Sequence, residues 1–395
     1  MIRSITLFIL MVISIAGQSQ RSSLHQTINS SLSLAAEQYV ILDHLLADSL
    51  FPRNIGKEEK LVTNKSGWWT SGFFPASLWY LYEYTQDPVL KDIATRKSKM
   101  VEREKLNTSD HDIGFKIYCP FGNQLHITSD SSTVPIIITA AQSLCKRFDP
   151  KVGLIRSWGS IQDTKDYVVI IDNMMNLELL FAATRLTGDS SYYKVAVSQA
   201  DKTIDNHFRP DGSSYHVLDY DPATGAVRKK RTAQGFADES AWARGQAWGL
   251  YGYTVCYRET RDKRYLQQAQ KIAAFMLKHQ NMPADKIPYW DFNAPNIPNA
   301  LRDASAAAIM ASALLELSGY VNKKERKSYI TTATTIITTL SDTTYRTKMN
   351  EKSNFLLKHS VGHLPANSEV DTPLSYADYY YLEAMLRWKK LNPKK

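Results

Sequence analysis

Apolar and polar positions along the chain follow a helical period of about 3.6 residues, and they do so in recurring pairs of segments. The first segment of each pair is poor in charge and rich in aromatic residues or alanine, whereas the second has an ordinary charged face. A short turn separates the two. The pattern therefore predicts helical hairpins in which one helix is buried on nearly every side and its partner covers it.

Five such hairpins are predicted, with one unpaired helix at each end of the chain. The hairpins pair 71–85 with 88–105, residues near 112–124 with 132–147, 173–187 with 190–206, 239–260 with 262–280, and 303–318 with 323–340. The unpaired helices, 31–49 and 375–391, complete a sixth pair if the chain closes into a ring. The prediction is an all-α fold, an (α/α)6 barrel of six helical hairpins in a single domain. An open solenoid of the same hairpins is the alternative, and the two orphan helices favour closure.

One stretch between the third and fourth hairpins departs from the helical period. Residues 214–232 contain two short strand-like runs around a turn that Pro222 and Gly225 mark. We expect a β-hairpin there, at the rim of the ring and just before the fourth inner helix.

The N-terminal residues have a pattern of their own. An apolar run from Ile5 to Ala16 follows a single positive charge at Arg3, and small residues come after it. This pattern is typical of a secretory signal peptide, which we assign to residues 1–19, with the barrel domain in 20–395. The prediction is an exported, periplasmic protein. No later stretch is apolar for long enough to span a membrane, so no membrane association is expected.

Charge and cysteine content narrow the function classes. The formal net charge is +9, which favours anionic ligands. The one basic run, 228–231, is typical of a solvated loop, and no nucleic-acid-binding motif occurs, so no nucleic acid partner is expected. Cys119, Cys145 and Cys256 have no paired spacing, which argues against a disulfide framework and a cysteine zinc site.

Acids, arginines and aromatic residues gather at the predicted starts of the inner helices, which meet at one mouth if the ring closes. They are Asp112, Asp172, Glu239, Arg244, Arg302, Asp303, Tyr376 and Asp378. Such a mouth suits sugar chemistry, because carboxylates move protons, aromatic rings stack on sugars and arginine binds an anionic substituent. The alternative is that each acid caps its own helix. Capping is the favoured role for Asp303 and Asp378, and both roles stay open for Asp172.

Motifs for other chemistries are absent. No G-x-S-x-G elbow, G-x-G-x-x-G fingerprint, phosphate loop or H-E-x-x-H motif occurs. His359 and His363 are four residues apart, but Gly362 and Pro365 argue against the helix that a metal-binding pair at this spacing needs. We therefore expect loop histidines and no metal site.

Seven segments match one known family in order along the chain. They are GFFPASLWYLY (72–82), HDIGF (111–115), IDNMMNLELL (171–180), TAQGFADESAWARGQAWGLYGY (232–253), PYWDFNAP (288–295), RDASAAAI (302–309) and PLSYADYYYLEA (373–384). Together they resemble the unsaturated glucuronyl hydrolases, glycoside hydrolase family 88. The resemblance covers about residues 30–390 and implies an (α/α)6 barrel, in agreement with the helix-pair pattern.

The resemblance also implies an activity. Its substrate is a 4,5-unsaturated uronic acid at the non-reducing end of the oligosaccharides that polysaccharide lyases leave. The enzyme hydrates the C4=C5 vinyl ether instead of attacking the anomeric carbon. Asp172 is the implied acid, which protonates C4 and then helps water add at C5, and Asp112 is the implied second essential carboxylate. No metal and no organic cofactor is implied.

Further positions are expected to bind the substrate, an unsaturated glycosaminoglycan oligosaccharide. They are Trp69 as a stacking partner, His216, Gln234, Arg244, Trp248, Ser360 and Tyr376. We expect Arg244 to bind the uronate carboxylate through charge-assisted bonds. We also expect 358–363 and the basic run at 228–231 to receive sulfate groups, because the net charge is positive.

Three alternative functions stay open. A hydrolase of unsaturated rhamnogalacturonan from pectin shares the barrel and the hydration chemistry. A polysaccharide lyase on an α/α toroid creates the double bond that the hydrolase removes. A glycan-binding barrel keeps the aromatic mouth without catalysis, and the presence of both Asp112 and Asp172 in matched contexts argues against it.

Overall fold

The described part of the chain contains twelve α-helices and seven short β-strands, joined by loops and short 3-10 or π-helical turns. The structure is a computed structural model that describes the backbone of residues 2–393 and the side chains of residues 23–56 and 58–393. The predicted signal peptide, residues 1–19, lies outside the described side chains and stays a prediction.

Six helices form an inner ring and six others cover it from outside. The inner helices are α2 (Phe73–Thr85), α4 (Cys119–Thr128), α6 (Asn173–Thr187), α8 (Ala243–Thr260), α10 (Ala304–Leu317) and α12 (Ser375–Leu391). The outer helices are α1 (Ile2–His44), α3 (Pro88–Val101), α5 (Val134–Cys145), α7 (Ser190–His207), α9 (Lys263–Lys278) and α11 (Lys323–Leu340). Nearly every residue of α10 is buried, as the alanine-rich pattern predicts for a helix with neighbours on all sides.

The inner ring is closed. Each inner helix packs against two inner neighbours, α4 doing so together with the π-helical turn Gly114–Tyr118 that precedes it. The last inner helix, α12, packs against the first, α2, and also against α1. The predicted (α/α)6 barrel is therefore confirmed, and an open solenoid is excluded.

Several helix boundaries differ from the prediction. The first helix runs from Ile2 to His44 instead of 31–49, α3 ends at Val101 instead of position 105, and α8 begins at Ala243 instead of position 239. The predicted helix at 112–124 opens as the π-helical turn before α4. These differences lie at helix ends, where the hydrophobic period gives the least information.

Short antiparallel strands line the rim. The pairs are β1 (Phe51–Ile55) with β2 (Leu61–Asn64), and β3 (Phe148–Asp149) with β4 (Leu154–Ile155). A three-stranded sheet joins β5 (Tyr167–Ile170), β6 (Val217–Tyr220) and β7 (Val227–Arg231) in that order. The predicted hairpin at 214–232 is thus present, with Gly225 at a φ of 73° in its turn. The sequence pattern missed β5, which leads directly into α6.

Buried polar contacts fasten the two ends of the chain together. The hydroxyl group of Tyr39 on α1 donates to Asp378 Oδ2 on α12 at 3.0 Å. The backbone N–H groups of Leu356 and Leu357 donate to the same carboxylate at 2.9 and 3.0 Å. Asp378 therefore joins α12, α1 and the loop before α12, instead of capping its own helix as expected.

A network of ion pairs fills the barrel toward the C-terminal halves of the inner helices. Arg258 pairs with Glu178 and, at 3.0 Å, with Glu316, and Arg387 pairs with Glu316 at 3.0 Å and Glu383 at 3.1 Å. Glu178, Arg258, Glu383 and Arg387 border a cavity of about 500 Å³. In the part of the chain that the structure describes, no helix is both long and apolar enough to cross a membrane.

Replacing Asp378 by alanine should destabilise the closed ring. The change leaves one hydroxyl and two backbone N–H groups without their acceptor, and each unpaired buried donor costs about 1–3 kcal/mol. We expect a loss of about 3 kcal/mol or more, measured as a lower urea midpoint by circular dichroism. Asp92→Ala removes an exposed acid from α3 and is the control. Equal midpoints for the two variants would contradict the role given to Asp378.

Candidate active site

A cavity of about 150 Å³ opens where the inner helices begin. Its lining consists of Trp69, His111, Asp112, Trp158, Ile170, Asp172, Ala233, Gln234, Arg244 and His363. Both predicted carboxylates are in this set, although they lie far apart along the chain. The fold therefore brings Asp112 and Asp172 to one site, as the sequence predicts.

Asp172 occupies the N-cap position of α6 but does not cap the helix. Its side chain makes no cap hydrogen bond, and its Oδ2 atom has no hydrogen-bond partner among the described residues. Burial raises the pKa of Asp172 to about 6, and the charge of Asp112 adds to this, whereas His111 and Arg244 oppose it. A carboxyl group in this state keeps a proton in mildly acidic solution and is free to transfer it.

Asp112 lies just before the π-helical turn and faces the same cavity. Its backbone N–H group donates to Asp110 Oδ1 at 2.9 Å, which fixes the local turn. His111 Nε2 lies 3.3 Å from Asp112 Oδ1. Burial raises the pKa of Asp112; the proximity of His111 lowers it and the charge of Asp110 raises it. The two catalytic candidates therefore have different charged neighbours.

Glycine at position 114 allows the Asp112 segment to pack directly on α6. A Cβ atom at Gly114 would lie 2.6 Å from Asn176 Oδ1 and 2.9 Å from Asn176 Cα, closer than side-chain atoms approach. The backbone N–H group of Phe115 donates to the same Oδ1 atom at 3.3 Å. The first turn of α6 thus carries Asp172 on one side and holds the Asp112 segment on the other.

His216 faces Asp172 in a fixed tautomer. Its Nδ1 atom accepts hydrogen bonds from the backbone N–H groups of Ala233 and Gln234, both at 3.2 Å. Burial, and then the charge of Arg244, hold the pKa of His216 well below its usual range, so the ring is neutral. Its one proton must therefore be on Nε2, which lies 3.7 Å from Asp172 Oδ2. This N–H group is a hydrogen-bond donor directed at the acid.

Arg244 lines the cavity and has a structural role in addition to the predicted contact with a uronate. Its side chain is 1% exposed. The guanidinium group donates to the carbonyl oxygens of Val361 and Gly362, the latter at 2.6 Å, and to Asp303 Oδ2 at 3.4 Å. Only Nε has no partner among the described residues. Arg244 therefore fastens the C-terminal rim segment to the mouth, and few of its donors remain for a uronate carboxylate.

Four other predicted positions form an aromatic and hydroxyl wall at the cavity. The rings of Trp69 and Tyr376 lie 4.9 Å apart, and those of Trp248 and Tyr376 lie 6.3 Å apart. Trp248 Nε1, Tyr376 OH and Ser360 Oγ are buried and have no hydrogen-bond partner among the described residues. Buried polar groups of this kind are usually paired in proteins, so their concentration beside a cavity is typical of a ligand site.

The remaining acids and arginines of the predicted mouth lie outside the cavity lining. Asp303 caps α10 by accepting the N–H group of Ser305 at 3.0 Å, as expected. Glu239 lies in the loop before α8 and its side chain is exposed, because the helix begins four residues later than predicted. Arg302 pairs with Asp285 on the rim.

Sequence reasoning missed five lining residues as site residues, namely Ile170, Ala233, Trp158, His363 and His111. Trp158 lies in the loop before β5 and is 37% exposed, and nothing in the period of its neighbours marks it. His363 was expected only as a loop residue, and its Nε2 atom donates to Ala233 O at 2.8 Å. His111 precedes Asp112 in the HDIGF segment, but the family resemblance drew attention to the acid alone.

Most of the basic side chains expected to receive sulfate already have partners. Arg228 pairs with Asp221 at 2.8 Å, and Arg231 pairs with Asp219 at 2.7 Å. Lys230 donates to the carbonyl oxygen of Asn206, and Lys358 of the 358–363 segment pairs with Glu351 at 3.2 Å. Lys229 is exposed and has no ion pair among the described residues, so it is the cation of the 228–231 run that is open to an anion.

Comparison with known proteins places this geometry in a family. An unsaturated glucuronyl hydrolase of Formosa agariphila is 46% identical over 343 residues, which cover 86% of this chain and 85% of that protein. A solved structure described as an unsaturated glucuronyl hydrolase specific for heparin superposes with a TM-score of 0.90 at 43% identity, covering 93% of this chain and 98% of that one. A mutant of the Streptococcus agalactiae enzyme, complexed with dGlcA-GalNAc6S, gives a TM-score of 0.78 at 29% identity, covering 92% of each chain. The model of glycosyl hydrolase family 88 matches residues 47–390, and the chain belongs to this family.

Proposed function

We propose that the protein releases the 4,5-unsaturated uronic acid from the non-reducing end of lyase-generated glycosaminoglycan oligosaccharides by hydrating the C4=C5 vinyl ether. The observation that carries this proposal is the state of Asp172. Its carboxyl group is buried, makes no cap hydrogen bond to α6, and has a pKa raised to about 6. Protonation of an alkene carbon needs an acid that still holds its proton under working conditions. Membership of family 88 supports the same reaction.

Asp172 is the proton donor and then the proton acceptor in this proposal. Its carboxyl proton forms the new C–H bond at C4, and positive charge develops at C5 and the ring oxygen. Water then adds at C5 and gives its proton to the Asp172 carboxylate. The resulting hemiketal opens and releases the rest of the oligosaccharide, so the enzyme returns to its starting protonation state.

Asp112 and His216 support this cycle in different ways. An ionised Asp112 stabilises the positive charge that develops at C5, since a fixed carboxylate in a buried site acts strongly on charge. The Nε2–H group of His216 has no partner among the described residues and is available to an oxygen atom of the substrate or of water. Trp69, Gln234, Trp248, Ser360 and Tyr376 are the proposed contacts of the sugar.

The substrate class rests on the relatives. The relatives described above are unsaturated glucuronyl hydrolases, of which one is specific for heparin and another is complexed with dGlcA-GalNAc6S. A pectin-derived substrate and a lyase reaction have no comparable support. We further propose that the chain is exported to the periplasm, because its first 19 residues have the composition of a signal peptide.

Asp172→Asn should abolish turnover while the fold and substrate binding persist. The amide has nearly the same shape but no proton to give, so we expect a fall in kcat of at least about 1000-fold, followed as the loss of ultraviolet absorbance of an unsaturated disaccharide. Asp189→Asn changes an aspartate that caps α7 through Ser191 N–H and is the matched control. Near-normal turnover by Asp172→Asn would remove this residue from the mechanism.

The rate should fall as pH rises through about 6. The acid form of Asp172 is the active one, and burial raises its pKa to about 6. Above that pH the protonated fraction, and with it kcat, declines about tenfold per pH unit. The measurement is kcat at saturating disaccharide between pH 4.5 and 8. A kcat that rises steadily from pH 6 to 8 would show that the ionised form is the active one.

A disaccharide panel tests the substrate class. We expect unsaturated heparin- or chondroitin-type disaccharides to be consumed with higher kcat/KM than an unsaturated rhamnogalacturonan fragment. Sulfated forms are expected to be preferred, because the chain is positively charged overall. Equal or better turnover of the unsulfated hyaluronan disaccharide would contradict the sulfate preference alone. Preference for the pectin fragment would contradict the proposed substrate class.

A further inference from the structure

The hydrogen bonds of Asn173, the residue after Asp172, determine which end of its side-chain amide is the NH₂ group and which is the oxygen atom. Its Nδ2 atom lies 2.7 Å from the carbonyl oxygen of Ile155 and 3.0 Å from Ser157 Oγ. A carbonyl oxygen only accepts hydrogen bonds, so the NH₂ group must face it. The other end of the amide, Oδ1, therefore points toward His111.

This orientation fixes the tautomer of His111. Its Nδ1 atom lies 2.7 Å from Asn173 Oδ1, which only accepts, so Nδ1 must carry a proton. The backbone N–H group of His111 donates to Ser157 O at 3.2 Å, and the residue is 1% exposed, so the ring has little freedom to turn. Nε2 is left facing the cavity without a hydrogen-bond partner among the described residues.

Asp112 Oδ1 lies 3.3 Å from this Nε2 atom. A neutral ring with its proton on Nδ1 would place an unprotonated nitrogen beside a carboxylate oxygen, and these two electron-rich atoms repel each other. One proton between the two groups removes the conflict. Asn173 Oδ1 accepts from Nδ1 at 2.7 Å and binds a charged ring more strongly than a neutral one, which favours placing that proton on the ring.

We propose that Asn173 holds His111 as a proton-bearing partner of Asp112, so that Asp112 is kept ionised beside a protonated Asp172. His111 is then a positioning residue that acts through the two carboxyl groups. The inference rests on the proposed function, which requires these groups in opposite protonation states, and it assigns the residues that create the difference.

The other charged groups around the two acids are consistent with an ionised Asp112 and a protonated Asp172. Other charged groups that act on the two acids are Asp110, Lys116, Arg147 and Arg244. Lys116 Nζ is paired with Asp110 Oδ2 at 2.7 Å, so these two largely cancel. Arg147 donates to the carbonyl oxygens of Arg156 and Thr108, and Arg244 is held by the C-terminal rim. His111 is the cation in direct contact with Asp112.

The first experiment measures the tautomer without substrate. Nitrogen-15 chemical shifts of His111, assigned by comparison with His111→Gln, should show Nδ1 protonated between pH 5 and 9. Asn173→Ala removes the acceptor and should allow the Nε2–H form to appear at high pH. A wild-type ring with its proton only on Nε2 at high pH would overturn the proposal. Because no turnover is needed, this result is independent of the proposed function.

The second experiment is the pH dependence of kcat for His111→Gln. Glutamine keeps an amide near the Nε2 position but carries no charge. Loss of a cation beside a carboxylate raises its pKa by about one unit or more. The acid limb of the profile, which reports the ionisation of Asp112, should therefore move to higher pH by roughly that amount, and by more than the alkaline limb, which reports loss of the Asp172 proton. His126→Gln changes an exposed histidine on α4 and should leave the profile unchanged. A lower kcat with unmoved limbs would indicate a purely structural role for His111 and would overturn the proposal.

Discussion

The chemistry of this protein depends on a close packing contact between the segment before α4 and the first turn of α6. Gly114 has no side chain, so the backbone of its segment approaches Asn176 at a distance that a Cβ atom would prevent. Two carboxyl groups from distant parts of the sequence then share one small cavity. Their burial is what makes proton transfer possible, because in water both groups would be ionised at neutral pH.

The closed ring supplies the rigidity that this contact needs. Asp378 fastens α12 to α1, and Arg244 fastens the rim segment to the start of α8. Strand β5 pairs with β6 and leads into α6, so the sheet at the rim also determines where Asp172 begins its helix. The same helix start carries Asn173, whose amide orients His111. The N-terminus of α6 and the elements packed against it thus fix the proposed acid Asp172 and the proposed second carboxylate Asp112. They also fix the residues that orient these two groups.

Much of the fold follows from the sequence, because its signal is a period repeated through the chain. Alanine-rich and aromatic segments such as 303–318 predict helices buried on all sides, and only a closed ring of hairpins buries six of them. The candidate site was harder to predict. The partners of Arg244 and Asp378 are long-range contacts that no local pattern encodes, and Trp158 reaches the cavity from a loop. Family resemblance identified the acids, and only the structure gives their protonation environment.

The central claim is that Asp172 keeps its proton in mildly acidic solution at the cavity where the inner helices begin. The most direct measurement is a carbon-13 NMR titration of the side-chain carboxyl groups, with Asp172→Asn used to assign the Asp172 signal. The account predicts a titration midpoint near pH 6, as burial raises the pKa of this group to about 6. A midpoint near the ordinary aspartate value of about 3.9 would mean that Asp172 is ionised whenever the enzyme works, and the proposed proton donor would be excluded.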